Sequence, residues 1–165
     1  MVVERTRMAD KTSFLAALQP VLDAMKTVSA DDPDAAQKLT AAFPLDGPVL
    51  QKIKAELREG VDQKWLCDRE NEGVRYSRVV KAASPDQLSI DAVHMSGVAL
   101  GHTHPNGEID LCFAVSGSPK FCGFEPGWSA FGSGSWHVPT VTDGVMDILY
   151  FLPGGAIRFE PKPVA

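Results

Sequence analysis

Beyond residue 62 the chain is broken every few residues by glycine, proline, asparagine or aspartate, and the runs between are short and rich in Val, Ile, Tyr, Phe and Trp. Runs of that length and composition are strands. They fall near Lys64–Asp68, Val74–Ala82, Leu88–Met95, Ala99–His104, Glu108–Val115, Lys120–Gly123, Ser129–Phe131, Trp136–Pro139, Val145–Leu152 and Ala156–Glu160. Close spacing and glycine-rich turns predict a small antiparallel β-barrel or sandwich, for which about 100 residues suffice. Residues 63–165 are assigned to it.

Residues 1–62 have a helical pattern. Phe14, Leu15, Leu18, Val21, Leu22 and Met25 make an apolar stripe at three- and four-residue spacing. Thr12 or Ser13 is the expected cap, and Pro20 should kink or split the helix. A second helix is predicted from Asp32-Pro33 to the residue before Pro44, with proline at its first position. A third starts near Asp46-Gly47-Pro48 and ends at Gly60. These helices are too short for a large core of their own, so the segment is expected to pack on the barrel. Exposed barrel edges and added helices predict a homodimer.

The net charge is −5 and no basic run occurs, which speaks against nucleic acid and against an anionic membrane surface as partners. No apolar stretch approaches the roughly 20 residues of a membrane span, and MVVERTRMAD lacks the apolar run of a secretory signal. Three cysteines, Cys67, Cys112 and Cys122, are an odd number for a disulfide framework; a reducing cytoplasm is the simplest setting. There is no Gly-x-Ser-x-Gly elbow, no Cys-x-x-Cys pair and no dinucleotide fingerprint, so neither nicotinamide nor flavin is expected.

The chemistry concentrates in Gly101-His102-Thr103-His104-Pro105-Asn106-Gly107-Glu108. Side chains two apart on a strand share a face, so His102 and His104 project together. Pro105-Asn106-Gly107 reverses the chain, and Glu108 returns beside the imidazoles. A fourth donor, His137, follows a glycine turn at Gly134-Ser135-Trp136. His102, His104, Glu108 and His137 form a candidate site for a divalent transition metal: Fe, Mn, Ni or Zn. A tetrahedral zinc would have no open position, whereas an octahedral ion would keep two. The remaining histidine, His94, has no partner at ligand spacing and is read as structural.

Asp110 lies two residues beyond Glu108 and shares its face. It is a candidate acid/base, or it orients a ligand histidine; the alternative is a strand-end aspartate in solvent. Cys112 continues that face as a buried, inert thiol.

These residues resemble the cupin superfamily, whose first motif is His-x-His-x(3)-Glu followed by a glycine and whose second contains Gly-x-x-His. Here they read His102-x-His104-x(3)-Glu108, then Gly117, and Gly134-x-x-His137. Gly117 stands two residues later than usual, which implies a longer or bulged strand. The resemblance implies a mainly β fold, a jelly-roll barrel. The stretches Gly101-His-Thr-His-Pro-Asn-Gly-Glu-Ile-Asp-Leu-Cys-Phe, Gly-Ser-Trp-His-Val-Pro-Thr-Val and Tyr150-Phe-Leu-Pro-Gly-Gly-Ala-Ile are similar to the bacterial 4-hydroxylaminobenzoate lyases. That family acts in nitroaromatic degradation, converting 4-hydroxylaminobenzoate to protocatechuate and ammonia.

The resemblance implies a small aromatic carboxylate as substrate, which needs a cation and flat apolar walls. Arg75, Arg78 and Lys81 lie on the Val74–Ala82 strand, where Arg78 shares a face with Tyr76; Arg78 is the candidate cation, the alternative being a solvated arginine on the outer face. Trp65, Trp128, Trp136 and Phe113 are candidate ring-packing groups, Trp136 first among them, the alternative being core aromatics. Two other functions fit the same ligands: an Fe(II)-dependent cupin dioxygenase on a small aromatic acid, and a non-catalytic small-ligand-binding cupin.

Overall fold

The structure, a computed structural model, describes residues 9–164. The expectation about a secretory signal falls almost wholly on residues outside that range. Among the described residues no helix is long and apolar enough to cross a membrane.

The chain begins with α1 (Lys11–Met25), α2 (Ala35–Ala42) and α3 (Pro48–Asp62). Asp10, rather than Thr12 or Ser13, caps α1. Its carboxylate accepts from the Ser13 amide at 2.7 Å and Ser13 Oγ accepts from the Asp10 amide at 2.9 Å, a reciprocal capping box. Pro20 neither splits nor ends α1. Its ring lies on the exposed face, where water can take the carbonyl it leaves unpaired. The predicted start of α2 at Pro33 is two residues early. Asp32 accepts from the Asp34 amide at 2.8 Å, an Asx turn that competes with helix. Gly60 does not end α3. It is buried within it, and an added Cβ would lie 2.5 Å from Leu66 Cδ1.

Strands follow: β1 (Arg69–Asn71), β2 (Val74–Val80), β3 (Leu88–Val98), β4 (His102–His104), β5 (Glu108–Phe121), β6 (Gly127–Phe131), β7 (Ser135–His137), β8 (Thr140–Pro153) and β9 (Arg158–Phe159). The predicted strand at Lys64–Asp68 is instead an irregular turn with Lys64 and Cys67 at positive φ; Leu66 is apolar because it packs on α3 at Gly60. The runs predicted as separate strands at Glu108–Val115 and Lys120–Gly123 are one strand, β5, bulged between Ala114 and Ser116 and again between Gly117 and Lys120. Gly117 has φ +75°, and an added Cβ would meet the Asp143 carbonyl at 2.5 Å, so only glycine fits that bulge.

All pairings are antiparallel. One sheet runs β1-β2-β3-β8-β5-β6 and a smaller one runs β7-β4-β9. The large sheet divides its side chains by period two. Ile90, Ala92, Ile109, Leu111, Phe113, Leu149 and Phe151 pack with Phe14, Leu18, Ile53 and Leu57 of the helices. Val93, Met95, Cys112, Ile148, Tyr150 and Leu152 form a second cluster on the inner face. The helix layer is also tied by polar contacts. Arg58 of α3 pairs with buried Asp147 of β8 at 2.9 Å, and the Trp128 indole donates to the Phe43 carbonyl at 3.1 Å.

One row of the inner face is polar. Reading across the sheet in register, Arg78 stands opposite Asp91, Asp91 opposite Tyr150, Tyr150 opposite Asp110, and Asp110 opposite Ser129.

Candidate metal centre

The two sheets meet at the histidines. β4 and β7 pair His102 with His137 and His104 with Ser135, while β5 of the large sheet brings Glu108. The hairpin Pro105–Gly107 turns the chain between them. Gly107 has φ +81°, and a Cβ there would lie 2.6 Å from Ala30 Cβ and 3.0 Å from the Phe131 carbonyl. Gly107→Ala should therefore lower stability by about 1–3 kcal/mol, measured by urea unfolding. The loop between α1 and α2 also braces the second turn. Asp31 accepts from the Ser133 amide at 2.6 Å and from its hydroxyl at 2.7 Å.

His102, His104 and Glu108 are fully buried and His137 nearly so. One donor atom from each lies within 4.8 Å of all the others. His137 Nε2 is 3.2 Å from the Nε2 of both His102 and His104, and Glu108 Oε2 is 3.1 Å from His104 Nε2 and 3.6 Å from His137 Nε2. The far side of each ring is already engaged. His102 Nδ1 donates to the Leu100 carbonyl at 3.4 Å. His104 Nδ1 lies 3.0 Å from Ser135 Oγ, whose own proton goes to the Gly132 carbonyl at 2.6 Å, so Nδ1 is the donor. His137 Nδ1 lies 3.8 Å from Cys122 Sγ, whose thiol donates to the Val138 carbonyl at 3.6 Å. With protons on Nδ1, all three Nε2 lone pairs aim at one point together with a carboxylate.

Four electron-pair donors packed this closely away from water need a positive charge among them. Ligand atoms about 2.0–2.1 Å from one ion stand roughly 3.0–3.4 Å apart, close to the spacings observed. The residues present therefore fit a metal ion. The imidazole Nδ1–H bonds are the outer contacts that orient such ligands. Ser135→Ala should weaken divalent-metal binding about 10–100-fold with the fold intact, read by competition against a chromophoric chelator.

Burial lowers His137 to about 4, which keeps its imidazole neutral at pH 7. Asp110 is fully buried beside Glu108, and neither of its oxygens has a hydrogen-bond partner among the described residues. Burial first, and then the Glu108 charge, push its carboxyl well above the usual carboxylate range. The Cys112 thiol is likewise pushed well up by burial. His94 Nδ1 lies 2.7 Å from Asp147 on the helix side of the sheet, away from the cluster.

A cavity of about 810 Å³ opens beside the cluster, lined by Tyr76, Arg78, Asp91, His102, Tyr150 and Phe159 among others. It reaches the cluster at His102. Tyr76 and Arg78 both face it, with the Arg78 guanidinium forked onto Asp91 at 2.8 and 3.1 Å. Trp136 stands elsewhere: its ring covers Gly101 and its indole donates to the Glu160 carbonyl at 2.9 Å. Sequence reasoning passed over Tyr150 and Asp91. The signal for Tyr150 was its period-two relation to Ile148 and Leu152, which marks the inner face of β8.

The family model for PnbB, 4-hydroxylaminobenzoate lyase, matches residues 16–159. A 4-hydroxylaminobenzoate lyase of Nocardioides sp. (strain LMS-CY) is 28% identical over 171 residues, covering 96% of this chain and 99% of that one. One of Pseudomonas putida is 29% identical over 134 residues, covering 70% and 76%. Among solved structures, the DMSP lyase DddQ from Ruegeria pomeroyi DSS-3 superposes with a TM-score of 0.52 at 17% identity, over 94% of this chain and 93% of that one. That likeness concerns the fold alone, a mainly β arrangement of antiparallel sheets with helices before it. With the match spanning all nine strands, α2, α3 and most of α1, the chain belongs to the 4-hydroxylaminobenzoate lyase family.

Proposed function

We propose that this protein converts 4-hydroxylaminobenzoate to protocatechuate (3,4-dihydroxybenzoate) and ammonia, with a divalent transition metal held by His102, His104, Glu108 and His137. The observation that carries the reading is the convergence of three Nε2 lone pairs and one carboxylate beside a cavity large enough for a benzoate.

The reaction consumes one water. The N–O bond breaks, the ring takes oxygen beside the nitrogen-bearing carbon, and hydrolysis of the resulting imine frees ammonia. Reduction at nitrogen balances oxidation of the ring, so no external redox partner is needed. A bound divalent ion supplies Lewis acidity toward an oxygen.

The chain's own residues supply the rest. Phe159 and Tyr76 give the aromatic ring flat walls. Arg78 presents its guanidinium on the cavity wall, where a substrate carboxylate would compete with Asp91. Trp136 acts from outside, fixing the backbone at Gly101 and so the entry to His102. Asp110, buried behind Glu108 and out of the cavity, acts through Glu108 and not on the substrate directly.

The test is to supply purified, metal-loaded protein with 4-hydroxylaminobenzoate and follow ammonia and protocatechuate together. Equimolar products formed without oxygen uptake are expected. Absence of turnover after loading in turn with Fe(II), Mn(II), Ni(II) and Zn(II) would overturn the reading, and oxygen uptake would replace it with a dioxygenase.

A further inference from the structure

Tyr150 is 6% exposed, and its hydroxyl makes no hydrogen bond among the described residues. A buried tyrosine hydroxyl ordinarily finds a partner. This one is not sealed in like the oxygens of Asp110 and Ser129, which have neither a partner nor contact with solvent. Tyr150 lines the cavity instead, and its ring lies 6.3 Å from that of His102, the member of the donor cluster that the cavity touches. Its neighbours across the sheet are already committed. Asp91 is forked by Arg78, and Asp110 is buried out of the cavity. Among the described residues the Tyr150 hydroxyl is thus a donor without a partner, on a side chain of the cavity wall beside the candidate centre.

We infer that Tyr150 is a further catalytic residue, whose hydroxyl donates a hydrogen bond to the oxygen borne by the para substituent of a bound benzoate. The inference rests on the reaction proposed above for its catalytic consequence, but the contact itself can be tested by binding alone. In the reaction that oxygen is the hydroxylamino oxygen. As the N–O bond lengthens, negative charge gathers there, and a fixed donor aimed at it acts more strongly on the transition state than on the substrate. The phenol keeps its proton throughout, so the contact adds no proton transfer.

The variant is Tyr150→Phe, which removes one oxygen and preserves the ring that packs near His102 and Phe121. With 4-hydroxylaminobenzoate, kcat should fall roughly 10²–10³-fold while KM stays within a few-fold, and metal content and melting temperature should match wild type. Binding is read in parallel by calorimetry with two probes that match the hydroxylamino group in length, 4-(hydroxymethyl)benzoate and 4-ethylbenzoate. Wild type should prefer the hydroxymethyl compound, and the variant should lose about tenfold on it while holding the ethyl compound unchanged. An active wild type with an equally active Y150F would overturn the inference and leave the lyase reading intact. An inactive wild type would overturn the lyase reading, and the binding pair then decides the contact. Loss of the hydroxyl preference in Y150F upholds it, whereas an unchanged preference, or no binding of either probe to wild type, overturns it.

Discussion

His137→Ala is expected to release the metal and to lower turnover of 4-hydroxylaminobenzoate by roughly a thousand-fold or more, since Lewis-acid stabilisation is worth several kcal/mol. Of the four donors His137 is the best one to remove. Its side chain keeps 12% of its surface exposed while the other three are sealed, so truncation leaves no closed cavity. Removing it also relieves part of the lone-pair crowding at the cluster, where its Nε2 stands 3.2 Å from two other imidazoles. Metal-free variant and metal-free wild type should therefore unfold within about 1 kcal/mol of each other. Elemental analysis of the dialysed protein and steady-state kinetics check the two halves separately. A variant that kept one full equivalent of metal and wild-type turnover would remove His137 from the centre.

Phe151→Ala should destabilise the protein by about 3–5 kcal/mol. Phe151 is fully buried on the outer face of β8, the strand that joins β3 to β5 at the middle of the large sheet. Its ring lies 6.1 Å from that of Trp128, in the cluster that also holds Phe14, Leu18 and Leu57 of the helices. Cutting it back opens a void shared by the helices and the sheet, so a single transition should move to lower urea with its slope unchanged. Two separate transitions would show instead that the helical layer unfolds apart from the barrel.

Much of this arrangement was legible in the residues. Turn chemistry at Pro105-Asn106-Gly107 and period two on either side were enough to place His102, His104 and Glu108 together, because those rules act over a few residues. The late position of Gly117 correctly indicated a bulged strand. What escaped depended on contacts distant in sequence. Leu66 looks like strand material, yet its place is set by the missing side chain of Gly60. Gly117-Ser118-Pro119 looks like a turn that ends a strand, but pairing with β8 carries β5 through it. Arg78 was legible only as a candidate cation that could equally stand solvated on the outer face; that it lines the cavity and that Asp91 occupies its fork were not, since the register of β2 against β3 decides them. Tyr150 reads as core from its apolar neighbours, and only the folded chain shows that it also lines the cavity.

The alternation of the large sheet also bears on how such a protein can change its chemistry over generations. On β5 and β8 the residues at 109, 111, 113, 149 and 151 are committed to the helices, while those at 108, 110, 112, 148, 150 and 152 face inward. Stability and chemistry are thus written on interleaved positions of the same strands. A substitution at an inward position that lines the cavity, such as Tyr150 of β8 or Val93 of β3, can alter what the cavity accepts without loosening the apolar face that packs on the helices, whereas Cys112, Ile148 and Leu152 hold the inner cluster together. New substrates are therefore reachable by single steps at the cavity-lining positions, with the helix-facing residues acting as a constant frame.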